Sequence, residues 1–109
     1  MTGIKYHVRW TETAENDLTG IIDYIARDSP ITALEIFTQI RTLAEELVDY
    51  PERGRIVPEL RKHGIFQYRE LLPTPWRVMY RIEENNVYVT AVIDGRRDLE
   101  TILLERLSR

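Results

Sequence analysis

Cysteine is absent from this 109-residue chain, and histidine occurs only twice. The first absence excludes a disulfide framework and a thiolate metal site. The second leaves His7 and His63 as the sole imidazoles, too few for a structural zinc, so neither metal nor cofactor is expected. No apolar run approaches the roughly 20 residues that span a bilayer, and no membrane partner is expected. Met1 to Lys5 lacks the apolar segment of a secretory signal, which together with the missing cysteines leads to the expectation of a cytoplasmic protein. Internal repeats, low-complexity tracts and linkers are also lacking.

What is present is ordinary globular composition, 43% hydrophobic and 30% charged, in a chain sized for one domain over residues 1–109. The net charge of −3 conceals an asymmetry. Acids such as Glu12, Glu15, Asp17 and Asp23 dominate up to Tyr50. From Pro51 to Ile82 the balance reverses, with Arg53, Arg55, Arg61, Lys62, Arg69, Arg77 and Arg81 against Glu52, Glu59 and Glu70. A local basic surface on an acidic chain suits an acidic partner, whereas a chain built to grip a long nucleic acid tends to be basic throughout.

Ile4, Tyr6, Val8 and Trp10 alternate with polar residues and predict an opening strand. The period then changes to helical. Ala14, Leu18, Ile21, Ile22 and Ile25 form one face of a helix capped by Thr11 or Thr13 and ending near Asp28. Ser29-Pro30 starts a second helix, with Ala33, Ile36, Phe37, Ile40, Leu43, Ala44 and Leu47 as its stripe and Tyr50-Pro51 as its stop. The pair reads as an antiparallel hairpin that needs a sheet to cover. Pro51 to Ile65 shows no period and reads as a long connector, of the size that tends to be functional.

Phe66 to Asp98 predicts a three-stranded antiparallel meander. Trp76, Val78, Tyr80 and Ile82 share one face of its middle strand, and Val87, Val89, Ala91 and Ile93 repeat the alternation after a turn at Glu84-Asn85-Asn86-Val87. Asparagine tolerates positive φ, which suits a two-residue turn. Arg77 and Arg81 lie on the alternate face and Gly95-Arg96-Arg97 closes the meander, so the expected working surface is a sheet face bearing arginines. Asp98 caps a last short helix with Leu99, Ile102, Leu103 and Leu107. The fold class is therefore α+β: strand, helical hairpin, meander and short helix, with about four strands in one sheet and the hairpin on one face.

These residues resemble the toxins of type II toxin–antitoxin modules in the RelE/ParE superfamily. The likeness runs through Ala14-Glu15-Asn16-Asp17-Leu18, Ile22-Asp23-Tyr24-Ile25, Leu47 to Arg55, Pro58-Glu59-Leu60 and Tyr68-Arg69-Glu70-Leu71. Trp76 to Ile82 and Gly95-Arg96-Arg97-Asp98-Leu99 complete it. The resemblance implies a small toxin neutralised by a cognate antitoxin, which lays a partly disordered segment over it. It also implies one of two targets: RelE-like members cleave messenger RNA in the ribosome, and ParE-like members poison DNA gyrase without hydrolytic chemistry.

Cleavage by a 2′-hydroxyl needs a base, cations for the phosphate and an acid for the leaving oxygen. Arg77 and Arg97 match the two arginines that RelE-like nucleases use on the phosphate. The strand that carries two lysines in RelE reads Tyr68-Arg69-Glu70 here, and the C-terminal tyrosine falls near Leu103. Absent acid and base groups typically remove about 10²–10⁴-fold each. The chain therefore reads as ParE-like, with Tyr68, Arg69, Arg77, Arg81, Arg96 and Arg97 as the partner-binding set. The alternative is a ribosome-dependent endoribonuclease using Arg77 and Arg97 with Glu70 or His63. A third reading is a degenerate toxin that keeps only antitoxin binding. Each residue also has a plainer role: Glu70 as an ion-pair partner of a nearby arginine, Arg96 and Arg97 as partners of Asp94, Asp98 or Glu100, and Tyr68 and Tyr80 as sheet packing.

Overall fold

A computed structural model describes residues 5–108. It contains strands β1 (His7–Trp10), β2 (Arg55–Ile56), β3 (Tyr68–Leu71), β4 (Trp76–Glu83) and β5 (Asn86–Asp94). The helices are α1 (Glu12–Ala26), α2 (Pro30–Glu45), α3 (Pro58–Arg61) and α4 (Leu99–Leu107). Ile4, expected in the first strand, lies outside the described residues.

Local chemistry sets the helix starts. Thr11 Oγ1 accepts the Ala14 N–H at 3.2 Å, Ser29 Oγ accepts the Thr32 N–H at 3.2 Å, and Asp98 Oδ1 accepts the Thr101 N–H at 3.3 Å. Each satisfies a donor that has no partner within its helix. The second helix is shorter than expected. Its α-helical part ends at Glu45 and a 3-10 turn over Glu46–Val48 completes the descent towards Pro51.

The strands form one sheet in the order β1-β5-β4-β3-β2, so five strands replace the expected four or so. β1 runs parallel to β5, and every other pair is antiparallel. The connector from Pro51 to Ile65 is not structureless: β2 pairs Arg55 with Glu70 and Ile56 with Arg69, and α3 follows directly. The β4–β5 turn is the expected two-residue one, but the positive φ of 55° falls on Glu84 rather than on an asparagine.

Both faces of the sheet are covered, which corrects the expectation of an open arginine face. On one side Ala14, Leu18, Ile40, Ala44 and Leu47 from the hairpin pack against Val78, Tyr80, Val87, Val89 and Val92. On the other, Val57, Leu60, Leu99 and Leu103 from the connector and α4 pack against Met79, Ala91 and Ile93. Each fully buried aliphatic side chain contributes about 1.5–3 kcal/mol, so α3 and α4 have ample reason to close that face.

The strict alternation read for the last strand also fails, for a local reason. Tyr80 pairs with Val89 and Met79 with Ala91, which leaves Thr90 as an extra residue in a β-bulge. Val87 and Val89 consequently face the hairpin, while Ala91 and Ile93 face α4.

One carboxylate ties three elements together. β1 pairs with β5 only as far as Val89, so the outward N–H of Val92 has no strand to meet. Asp17 on α1 accepts it at 3.0 Å and takes both ends of the Arg106 guanidinium of α4 at 2.8 and 2.9 Å. An otherwise unpaired strand donor thus anchors both helical layers.

Candidate functional site

The most concentrated chemistry lies where β2, β3, β4 and α3 meet. Arg77 on β4 points towards α3 rather than solvent, and only 11% of its side chain is exposed. Its Nε and Nη2 donate to Glu70 at 2.7 and 2.8 Å, and its Nη1 and Nη2 donate to Glu59 at 2.8 and 2.7 Å. Both edges of one guanidinium are therefore engaged by carboxylates in the paired geometry that favours arginine. Glu59 first, and then Glu70, push the Arg77 pKa still higher than its ordinary value, against the opposing effect of burial.

Glu70 is fully buried, with none of its side chain exposed. Its second oxygen also accepts from Arg55 Nε at 2.7 Å. A buried carboxylate without partners would be costly, and the two arginines remove that cost. Arg77 also holds the Glu59 carboxyl below the usual carboxylate range, although burial works in the opposite direction.

Tyr80 closes the inner wall. Its hydroxyl donates to the Pro51 carbonyl at 2.7 Å and accepts the Gly54 N–H at 2.9 Å, which ties the helix exit to the sheet. Burial pushes the phenol pKa up. Gly95 permits the turn above Arg77, since a Cβ there would lie 2.9 Å from the Pro75 carbonyl oxygen and 3.2 Å from Arg77 Cδ.

Arg69 donates to the Gly54 carbonyl at 2.8 Å and holds the β2 edge. Tyr68 packs against the α4-side core. Arg81 sits four residues from Arg77, roughly 13 Å along the strand, bonded to Glu83 at 2.7 Å with its guanidinium 4.5 Å from the Tyr88 ring centre. His63 Nε2 lies 2.8 Å from Glu100 and joins α3 to α4. Arg96 forks onto Asp94 at 2.9 and 2.6 Å. Arg97 makes no side-chain hydrogen bond or ion pair among the described residues, although its charge helps to hold the Asp94 carboxyl down. Tyr68 and Arg81 are cross-strand partners, Arg77 and Arg96 line one concavity, and Arg96 and Arg97 line a second.

Beside Arg97 lies a groove of about 770 Å³ between α1, the start of α2, the end of β5 and α4. Ile21, Ile25, Ile36 and Trp76 form its apolar lining, with Asn16, Tyr24, Arg96 and Arg97 among its polar ones. The reading of the sequence missed this groove, together with Glu59 and Arg55. Pro58-Glu59, a helix-start pair inside the connector, was the one available signal.

The Asp94–Arg96 pair yields a pH prediction. Arg96 holds the Asp94 carboxyl down to about 2 from an ordinary 3.8. A depressed carboxyl contributes stability above its unfolded pKa, and here that contribution disappears as pH falls from near 3.8 towards 2. The pair is exposed, so the global effect is small. Carboxyl-carbon NMR of the Arg96→Ala variant should show the Asp94 midpoint returning towards 3.8.

The family described as the ParE toxin of type II toxin–antitoxin systems, parDE, matches residues 8–99. Toxin RelE2 of Caulobacter vibrioides is 34% identical over 91 residues, which cover 83% of this chain and 96% of that protein. The fold is similar to a chain of the chromosomal ParDE system of P. aeruginosa, with a TM-score of 0.67 and 20% identity over 84% of this chain and 98% of that one. It is also similar to a chain of the RelBE2 toxin–antitoxin complex of Mycobacterium tuberculosis, at 0.59 and 23% over 85% and 94%.

Proposed function

This chain belongs to the ParE toxin family of type II toxin–antitoxin systems, and from that premise we propose that it acts by binding DNA gyrase rather than by cutting RNA. The observation that carries the proposal is the double engagement of Arg77 by Glu59 and Glu70. An arginine that grips a transferring phosphate needs a free fork, and this fork is filled from within. Glu70, the base that the nuclease alternative would require, has both oxygens bonded and no solvent access. His63, the other candidate, is held against Glu100.

A supercoiling assay with purified gyrase tests this reading. The toxin should abolish supercoiling at low micromolar concentration, and addition of its antitoxin should restore it. Gyrase left untouched at micromolar excess would contradict the proposal.

The groove beside Arg97 is the proposed seat of the antitoxin. Its apolar lining suits a segment that folds on binding, and its free guanidinium suits an acidic residue within that segment. Gly20 lines the groove, and a Cβ built there meets nothing within 4 Å. Gly20→Trp should therefore keep the fold, filling the groove from an exposed helix position. Its affinity for the antitoxin, measured calorimetrically, should fall by roughly a hundredfold, the loss of about 3 kcal/mol of burial.

A further inference from the structure

α3 and α4 cover Met79 and Ala91, but their cover stops short of the β4–β5 turn. Nearer that turn the register sets Arg9 of β1, Tyr88 of β5, Arg81 of β4 and Tyr68 of β3 side by side across four strands. Cross-strand partners project from the same face, and Arg81 stands two residues from Met79, so the row lies on the face opposite the hairpin. Tyr68 packs against the α4-side core, whereas Tyr88 packs into neither core. Arg9 is exposed at the open end of the row, on the edge strand of the sheet.

The two arginines of this row differ in what they hold. Arg81 bonds Glu83 at 2.7 Å and lies 4.5 Å from the Tyr88 ring centre, so its charge is matched within the chain and its guanidinium supports the ring. Arg9 donates its Nε to Asn86 Oδ1 at 3.0 Å, which anchors the stem, and among the described residues no carboxylate pairs with it. Its two terminal nitrogens are left facing solvent. An arginine held by Nε with its outer edge open is preorganised for a carboxylate. Beside it stands a tyrosine, and arginine and tyrosine are among the residue types that dominate binding energy at protein interfaces.

We propose that the row from Arg9 to Tyr88 is the surface by which the chain docks on its protein target, taking an acidic side chain on Arg9 and an apolar one against Tyr88. The inference rests on the binding-toxin reading and adds the contact surface to it. A protein is favoured over a nucleic acid on two grounds. Arg81 already stacks on the Tyr88 ring, where a base would otherwise lie, and the net charge of −3 opposes a polyanion. The target is favoured over the antitoxin because the groove proposed for the antitoxin opens at the other end of β5. That groove is lined by Val92 to Asp94, and Val92 stands four residues, roughly 13 Å, from Tyr88.

The test compares the full chain with Arg9→Ala, Arg9→Gln and, as a control of equal charge change, Arg61→Ala at an exposed position of α3. Gyrase supercoiling, growth arrest on expression and antitoxin affinity are read for each. Both Arg9 variants should need roughly thirtyfold more protein to inhibit gyrase, the size of effect typical of an interface hot spot, with antitoxin affinity unchanged. Arg61→Ala should match the parent in all three. Undiminished inhibition by the folded Arg9 variants would overturn the surface and leave the gyrase reading standing. Growth arrest that depends on Arg9, with gyrase untouched by the parent, would keep the surface and remove the gyrase reading. A parent with neither effect would overturn both. An equal loss of antitoxin affinity in the Arg9 variants would overturn the assignment to the target. Binding of a single-stranded oligonucleotide by the parent but not by Arg9→Ala would overturn the choice of a protein. Should Arg9→Ala not fold, Arg9→Gln retains a donor for Asn86 and carries the same expectations.

Discussion

Replacing Glu70 with alanine is expected to cost about 3–5 kcal/mol, the usual penalty for removing one partner of a buried ion pair. The carboxylate has no solvent exposure and accepts three hydrogen bonds from two arginines. Its loss leaves the inner edge of Arg77 and the Nε of Arg55 without their acceptor. Folded domains of this size have a total of about 5–15 kcal/mol, so the variant should be close to unfolding at ambient temperature. Urea denaturation followed by circular dichroism measures the difference. Glu70→Gln, which keeps the volume but turns one acceptor into a donor facing a guanidinium, should also lose stability, though less. A loss below about 1 kcal/mol in the alanine variant would mean that the network is not what holds β3 and β4 in place.

Gly54→Val should be nearly as damaging, for reasons of space. A Cβ at this position would lie 2.5 Å from the Glu70 carbonyl oxygen and 2.7 Å from the Tyr80 hydroxyl. One of those atoms is strand backbone and cannot rotate away. β2 would have to withdraw from β3, lengthening the Gly54 N–H bond to Tyr80 and the Arg69 bond to the Gly54 carbonyl. Overpacking of this kind typically costs about 1–3 kcal/mol, and each hydrogen bond lost adds about 1 kcal/mol. The midpoint of thermal unfolding should fall by more than about 10 °C, at roughly 4–8 °C per kcal/mol. Tyr80→Phe in the same background should add about 1 kcal/mol of further loss, because the hydroxyl also donates to the Pro51 carbonyl.

The sequence made the capping chemistry legible because caps are local. Thr11, Ser29-Pro30 and Asp98 each act within three residues, and each helix begins beside them. The face of Trp76, Val78, Tyr80 and Ile82 was legible for the same reason. The bulge at Thr90 was not, since two-residue periodicity assumes an unbroken ladder and carries no mark of where an extra residue enters. β2 escaped notice because two residues are too few to show alternation. The parallel β1–β5 pairing joins residues about 80 positions apart, beyond the reach of any local pattern.

The candidate site was half legible. The meander implied that Glu70 would pair with a nearby arginine, and the structure shows that Arg77 on the neighbouring strand, with Arg55, fills that role. Glu59 reaches Arg77 only because the connector folds back as α3, and the connector was the stretch without a readable period. The expected arginine face failed for a related reason. Once Val57, Leu60, Leu99 and Leu103 need burial, the face bearing Met79 and Arg77 becomes an interior one. The groove beside Arg97 draws on α1, α2, β5 and α4 together, a juxtaposition that exists only after folding.

The proposed binding mode holds that the Arg77 guanidinium is engaged by Glu59 and Glu70, and that neither Glu70 nor His63 is free to move a proton. Programmed ribosomes incubated with the purified protein test it most directly, with transcript ends mapped by primer extension. The account predicts full-length message at any toxin concentration that inhibits gyrase. Cuts at fixed codon positions, dependent on Arg77 and Arg97, would contradict it.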